Sequence, residues 1–227
     1  ELVKKSDVIV LDNLSTGHRW AVDERALFHE GDIGQREDLD HIFTTYKIDA
    51  VMHFAANSLV SESVVNPMKY YQNNVVATLT LLHAMMKHGV NNFIFSSTAA
   101  TYGIPDEDFI TEETMTIPIN TYGRSKLMIE QILEDFSEAY GLGFVTLRYF
   151  NAAGAHETAD IGENHEPETH LIPIVLSLLI VILFPIFVVV DNIFLTLVTI
   201  VFIHVCKGTV IKAIQNKMFL RTIRRKK

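Results

Sequence analysis

The chain has 227 residues, 48% of them apolar, and a formal net charge of −8. That length holds one full domain and part of a second, with enough apolar sequence for a sizeable core. The acidic balance argues against nucleic acid as a partner, and the single cysteine, Cys206, excludes an internal disulfide or a Cys-based zinc cluster and fits a reducing, cytoplasmic setting. The charge is unevenly spread. Nearly all the acidic residues lie up to Glu168, and none follows Asp191. Such asymmetry separates two regions of different character, residues 1–170 and an apolar, then basic, tail over 171–227. The start, Glu1-Leu2-Val3-Lys4-Lys5, has neither a methionine nor an apolar signal region, so the chain is expected to begin inside a longer protein.

Val8-Ile9-Val10-Leu11, closed by Asp12-Asn13, reads as a buried strand. Ala26 to Glu30 reads as a second, short strand ending at Gly31-Asp32. Arg36 to Tyr46 has helical spacing, with Leu39, Ile42 and Phe43 on one face. Ala50 to Phe54 is a third strand, followed by the small Ala55-Ala56. Asn66 suits an N-cap with Pro67 in the first helical position, and the spacing predicts one helix from there to His88, stopped by Gly89. Phe93-Ile94-Phe95 is a fourth strand ending at Ser96. Tyr122 to Tyr140 is a long amphipathic helix closed by Gly141, and Phe144 to Leu147 is a fifth strand ending at Arg148-Tyr149-Phe150.

Strands alternating with helices predict a doubly wound, Rossmann-like α/β fold: a parallel sheet with right-handed crossovers and helices on both faces. Ligands of such sheets sit beyond the carboxyl ends of the strands. Asp12, Asp32, Phe54, Ser96 and Tyr149 all fall at those ends. The first strand and its glycine-rich phosphate loop are not in the sequence and would lie before Glu1.

Tyr122-Gly123-Arg124-Ser125-Lys126 places a phenol and an ammonium one helical turn apart on one face. A nearby positive charge lowers the pKa of an acid, so Lys126 is expected to favour the Tyr122 phenolate, a general base for an alcohol losing hydride from the same carbon. Tyr-x-x-x-Lys alone arises readily by chance. Ser96-Ser97-Thr98 after an apolar strand adds the hydroxyl that a sugar alcohol could meet together with the other two groups. Asp12 suits the acid that accepts hydrogen bonds from adenosine ribose hydroxyls, which points to NAD rather than NADP, or it is a plain turn aspartate. Asp32-Ile33 could hold the adenine amino group, or Asp32 simply opens a helix.

Taken together, Asp12-Asn13-Leu14-Ser15, Gly31-Asp32-Ile33, His53-Phe54-Ala55-Ala56, Tyr71-Gln72-Asn73-Asn74-Val75, Phe95-Ser96-Ser97-Thr98 through Gly103, Tyr122-Gly123-Arg124-Ser125-Lys126 and Leu147-Arg148-Tyr149-Phe150-Asn151 resemble the UDP-glucose 4-epimerases of the extended short-chain dehydrogenase/reductase family, in order and spacing, over about residues 1 to 176. The resemblance implies tightly held NAD, a UDP-hexose substrate and a candidate homodimer. It implies that Tyr122 removes the sugar 4-hydroxyl proton, that Lys126 holds the nicotinamide ribose, and that Thr98 bridges the 4-oxygen and Tyr122. Hydride would leave C4, giving a 4-keto sugar that turns over and receives hydride on its other face. The implied cofactor contacts are Asp12, Asn13, Asp32, Ile33, Phe54, Ala55, Asn73, Ser96, Tyr122, Lys126 and Tyr149. The implied substrate contacts are Thr98, Tyr122, Asn151 and His170.

Ala99-Ala100 follow Thr98 where the related 4,6-dehydratases carry an Asp-Glu pair, which favours simple epimerisation. Another UDP-sugar 4-epimerase, acting on an N-acetylhexosamine or a uronic acid, is the alternative enzyme. A non-catalytic, membrane-attached nucleotide-sugar-binding protein is the alternative from another class. His165-Glu166-Pro167-Glu168-Thr169-His170 lacks the His-Glu-x-x-His spacing and contains a proline, so no metal is expected. From Leu171 the family pattern gives way to apolar sequence. Residues 171–190 have the length to span about 30 Å of hydrocarbon, and the apolar character extends to Val205. The competing readings are a membrane span, a buried helix, and an out-of-frame product. Pro173 and Pro185 favour the last over an anchor. With both ends departing from the pattern, impaired or absent turnover is the expectation.

Overall fold

Apolar runs of four to seven residues become the strands, and the amphipathic runs between them become the crossovers. The computed structural model describes residues 2–152, positions 154, 156, 161, 162, 171, 172, 174–176, 178 and 179, and the backbone of 219–222. It divides into two compact units, Glu1–Phe150 with Met218–Lys227, and Asn151–Lys217. The first unit carries the strands β1 (Ile9–Asp12), β2 (Leu27–Glu30), β3 (Val51–His53), β4 (Asn92–Thr98) and β5 (Gly143–Tyr149). Its helices are α1 (Arg36–Thr45), α2 (Val60–Val65), α3 (Pro67–Tyr70), α4 (Ala77–Lys87) and α5 (Thr121–Tyr140).

The expected α/β, Rossmann-like arrangement is present. β1 pairs with β2 in parallel, and β3, β4 and β5 pair in parallel in that order. The two groups form separate sheets. A further strand, β6 (Phe219–Thr222), lies antiparallel on β5, an element the apolar and basic reading of the tail did not anticipate. Among the described residues of the second unit, Leu171, Ile172, 174–176, Leu178 and Leu179 are helical, and the remainder of the predicted apolar tail lies outside the described residues.

Right-handed crossovers between sequential parallel strands put their helices on one face. α4 and α5 accordingly share a layer, joined through residues 71–76, and α1 packs on α4. Leu39 of α1, Leu81, Leu82 and Met85 of α4, Phe93 and Phe95 of β4, and Ile129 and Leu133 of α5 form one buried core. Alternation along the strands sends Phe93, Phe95 and Ser97, with Phe144, Thr146 and Arg148, to buried positions.

The predicted helix from Asn66 to His88 is interrupted. Asn66 caps α3 by accepting from the Lys69 amide, with Pro67 at the first position, as expected. A π-helical turn then occupies Tyr71–Val76 before α4 resumes regular geometry. α2 was not predicted, because Val60-Ser61-Glu62-Ser63-Val64-Val65 is rich in β-branched and hydroxyl residues that form helices poorly. Tertiary contact overrides that propensity: Ser63 is fully buried and its amide-facing hydroxyl meets the start of α5. α5 is capped at its start by Asn120, whose side chain accepts from the Gly123 amide, and at its end by Gly141 with φ of 73°.

Gly123 is required by packing. A Cβ there would stand 2.5 Å from the Ala100 carbonyl oxygen, on the turn that follows β4. Gly123→Ala is therefore expected to lower unfolding free energy by about 1–3 kcal/mol through overpacking, measured by urea denaturation.

His53 ends β3 inside the core, stacked on Phe95 with ring centroids 5.8 Å apart. Its Nε2 is 2.8 Å from the Thr78 hydroxyl, whose own proton goes to the Asn74 carbonyl, so Nε2 is the donor. Burial, reinforced by the Lys126 charge, holds His53 down to about 3. The unfolded chain takes this proton near pH 6.5 while the folded chain resists it to about 3, so stability is lost as pH falls through that window. Acidification from pH 7 to pH 5 should cost about 2 kcal/mol from this group, and His53→Phe should flatten that part of the slope in urea titrations.

Candidate active site

Three elements converge on the Tyr122–Lys126 turn. β4 delivers Ser96, Ser97 and Thr98 at its carboxyl end, and β5 sets Tyr149 directly opposite Thr98. The first turn of α5 places Tyr122 and Lys126 over them. The Lys126 side chain is buried, and its Nζ donates to the Ser96 carbonyl at 2.8 Å. The same nitrogen lies 5.0 Å from the Phe95 ring centroid and 5.8 Å from that of Tyr122. Thr98 accepts from the Ala100 amide at 3.1 Å, which leaves its hydroxyl proton to point elsewhere, and it is the polar side chain acting on the Tyr122 phenol.

The electrostatics run against the expected sign. Burial raises the Tyr122 phenol above its ordinary value, and the Thr98 hydroxyl offsets only part of this. Burial also pushes Lys126 down to about 7, partly countered by Glu130. The sequence places a cation beside a phenol, but both groups leave water together, and desolvation of each charged form outweighs their mutual attraction. Burial likewise raises the Tyr149 phenol.

The π turn supplies a part that sequence reasoning missed. It turns Asn74 inward, where its side-chain oxygen accepts from the Asn57 amide at 2.9 Å and from Asn73 at 3.0 Å. Its nitrogen donates to the Asn57 carbonyl and to Ser125. Ser125 in turn donates to the Tyr122 carbonyl at 2.7 Å, and Ser63 accepts from the Tyr122 amide at 3.1 Å. The Tyr122–Lys126 helix turn is thus tied to the loop after β3. The adjacent asparagines of Asn73-Asn74 were the available signal, read for the first and not the second. Phe54 and Ala55, on that loop, are exposed, and Asn73 is half-buried.

A second group forms at the ends of β1 and β2. Asp12 accepts from the Leu14 amide at 2.7 Å, Asn13 donates to Asp32 at 2.7 Å, and Asp32 also accepts from the Gly34 amide. Ile33 packs its side chain into the core, so only its backbone is offered to a ligand. Asn151 falls in the second unit, and His170, the 165–170 histidine stretch and Cys206 lie outside the described residues. No group of three metal-ligating side chains and no helix long and apolar enough to cross a membrane occurs among the described residues. A cavity of about 500 Å³ opens at the other end of the strands, lined by Phe43, Tyr46, Asp49, His88 and Asn92, and holds none of the candidate site residues.

A buried ammonium with one hydrogen bond costs stability. Lys126→Met should raise the unfolding free energy of the chain at pH 7 by about 2–4 kcal/mol in urea titrations, with the gain shrinking towards pH 10, because the folded lysine gives up its proton near 7 and the cost of that loss fades as pH nears the value of an unfolded lysine.

Comparison with known proteins identifies the family. Residues 2–179 match the NAD dependent epimerase/dehydratase family. The UDP-glucose 4-epimerase of Halalkalibacterium halodurans is 56% identical over 176 residues, covering 78% of this chain and 52% of that protein. That of Lacticaseibacillus casei is 52% identical over 176 residues, covering 78% and 53%. The crystal structure of the Brucella ovis UDP-glucose 4-epimerase in complex with NAD superposes with a TM-score of 0.73 at 49% identity, covering 75% of this chain and 52% of that one. The chain spans about half the length of the curated relatives it matches. With a parallel α/β fold, the Thr98, Tyr122 and Lys126 cluster and a match over most of its length, the chain belongs to the NAD-dependent epimerase/dehydratase family.

Proposed function

We propose that this chain carries the NAD-binding part of a UDP-glucose 4-epimerase, interconverting UDP-glucose and UDP-galactose through a 4-keto sugar. The observation that carries the reading is the cluster of buried Thr98 and Lys126 with half-buried Tyr122 at the carboxyl end of β4, in a domain matched by relatives of that name. The donor set suits NAD. Asp12 keeps a carboxylate oxygen free of the Leu14 amide to accept from ribose hydroxyls, and Lys126 has further N–H groups beyond the one given to Ser96. Asp32 and Asn13 offer polar groups beside it, and Phe54, Ala55, Asn73 and Tyr149 offer exposed or half-buried surface. Bound NAD supplies a reversible hydride acceptor for sugar C4.

The chain's own residues handle the proton. Thr98 orients the sugar 4-hydroxyl toward the Tyr122 oxygen. Tyr122, as phenolate, takes the proton as C4 loses hydride, and returns it when hydride comes back. Burial favours the neutral phenol, so the phenolate depends on positive charge at its ring face, which Lys126 provides. Ala99 and Ala100 offer no acid or base for loss of water, which separates this chemistry from dehydration. Selectivity within UDP-hexoses is open to a second sugar, since one similar structure, at 42% identity, is the UDP-Glc/GlcNAc 4-epimerase of Campylobacter jejuni.

The 227-residue chain is incubated at high concentration with NAD and UDP-galactose or its N-acetylated analogue, and products are separated at end point. NAD-dependent formation of UDP-glucose, reduced at least ~100-fold in Tyr122→Phe, is expected. NAD is expected to bind in preference to NADP by saturation-transfer NMR, with the preference reduced in Asp12→Ala. Absence of both binding and conversion overturns the reading.

A further inference from the structure

The proposed reaction makes no use of the buried ion pair one turn further along α5. Glu130 is 3% exposed and Arg148 is 5% exposed. The Glu130 carboxylate accepts from the Ser97 hydroxyl at 2.5 Å and from Arg148 Nε at 3.1 Å on each oxygen, with Arg148 Nη2 adding a third contact. Ser97 and Arg148 stand opposite each other in the β4–β5 register, one residue before the facing Thr98 and Tyr149. One carboxylate therefore clamps two strands just behind the reacting groups. Ser97 also follows Ser96, whose carbonyl receives Lys126.

The charges close the argument. Lys126 and Glu130 are spaced i, i+4 on one helix face. Glu130 is the carboxylate acting on Lys126 among the described residues. The other groups around Lys126 bring no negative charge: Tyr122 on α5 is held neutral, His53 on β3 is held neutral, Phe95 and the Ser96 carbonyl come from β4, and Arg148 on β5 is a cation.

We propose that Glu130 is a positioning residue for Lys126: it fixes the β4 segment whose Ser96 carbonyl holds the lysine nitrogen, and it supplies the negative charge that keeps that nitrogen an ammonium inside the fold. The inference draws its relevance from the epimerase reading, but its test needs neither NAD nor sugar, so the two can fail separately.

The test follows the Cε resonance of Lys126 against pH in the folded 227-residue chain with ¹³C-labelled lysine, the signal assigned by its loss in Lys126→Met. The wild-type midpoint is expected near 7. In Glu130→Gln, which keeps the length and an acceptor for Ser97 but leaves Arg148 uncompensated, the midpoint should fall by about one unit. Glu130→Asp, which keeps the charge, should stay near wild type. If the Gln variant does not fold, Glu130→Gln combined with Arg148→Gln, which leaves no unpaired charge, is read for a smaller fall in the same direction, since the lost Arg148 cation offsets part of the lost carboxylate. An unmoved midpoint in the folded Gln or double variant, or an Asp variant that falls as far as Gln, overturns the proposal.

Discussion

The contact between the Lys126 ammonium and the Ser96 carbonyl organises the whole site. It crosses from helix to sheet, and it fixes the height of α5 over β4, which in turn sets Tyr122 over Thr98. An ammonium removed from water loses several kcal/mol of hydration, and a single neutral carbonyl returns only part of it. The Phe95 ring face at 5.0 Å adds a weak cation–π attraction, and Glu130 adds a charge. The sum still falls short, which is why the lysine sits near neutrality and not in its usual range. The fold accepts a loss in stability here to hold the cation fixed before any ligand arrives, which would leave little reorganisation for the proposed reaction.

Rigidity of the other half of the site comes from a helix defect. A regular α-helix through Tyr71–Val76 would keep its 3.6-residue pitch and turn the Asn74 side chain to a different angle. The widened turn aims it inward, where the amide uses both its oxygen lone pairs and both its N–H groups. A fully satisfied buried amide has one low-energy orientation, because any rotation strands donors in the core. The loop carrying Phe54 and Ala55 and the turn carrying Tyr122 are held through that one side chain and Ser125.

Much of this was legible in the residues. The five parallel strands, the Asn66-Pro67 start, the Gly141 stop and the placement of Thr98, Tyr122 and Lys126 follow from local pattern, since each depends on hydrophobic period or cap chemistry within a few positions. What escaped depends on distance in sequence. α2 exists because Ser63 is buried against α5, a contact 59 residues away. The π turn is a response to Asn57 and Ser125, partners on either side of the helix in sequence. Glu130 reads as an ordinary acid on an amphipathic helix, and Arg148 as the end of a strand. Only the sheet register, which sets Arg148 opposite Ser97 beneath α5, reveals them as a pair. The sign of the tyrosine shift was unreadable for the same reason, because it follows from burial depth and not from the spacing of Tyr122 and Lys126.

At the end of β1 a short polar motif folds its own backbone around the Asp12 carboxylate. One oxygen of Asp12 is committed to the Leu14 amide, where Leu14 takes the left-handed backbone conformation with φ of 54°, and this bends the chain back over the carboxylate. Gly17 then comes so close that an added Cβ would lie 3.0 Å from the other oxygen. The loop therefore brings its backbone, not a side chain, against the acid. Arg19, further along the connection from β1 to β2, lies over the Phe28 ring, 4.6 Å from its centroid. A ribose hydroxyl meeting Asp12 can donate to it, whereas a phosphate at that place would meet like charge. On the proposed reading, preference for the unphosphorylated dinucleotide would draw on the fold of the loop as well as on the identity of residue 12, and the two can be separated, because a charge-neutral replacement of the acid leaves the close approach of residue 17 in place.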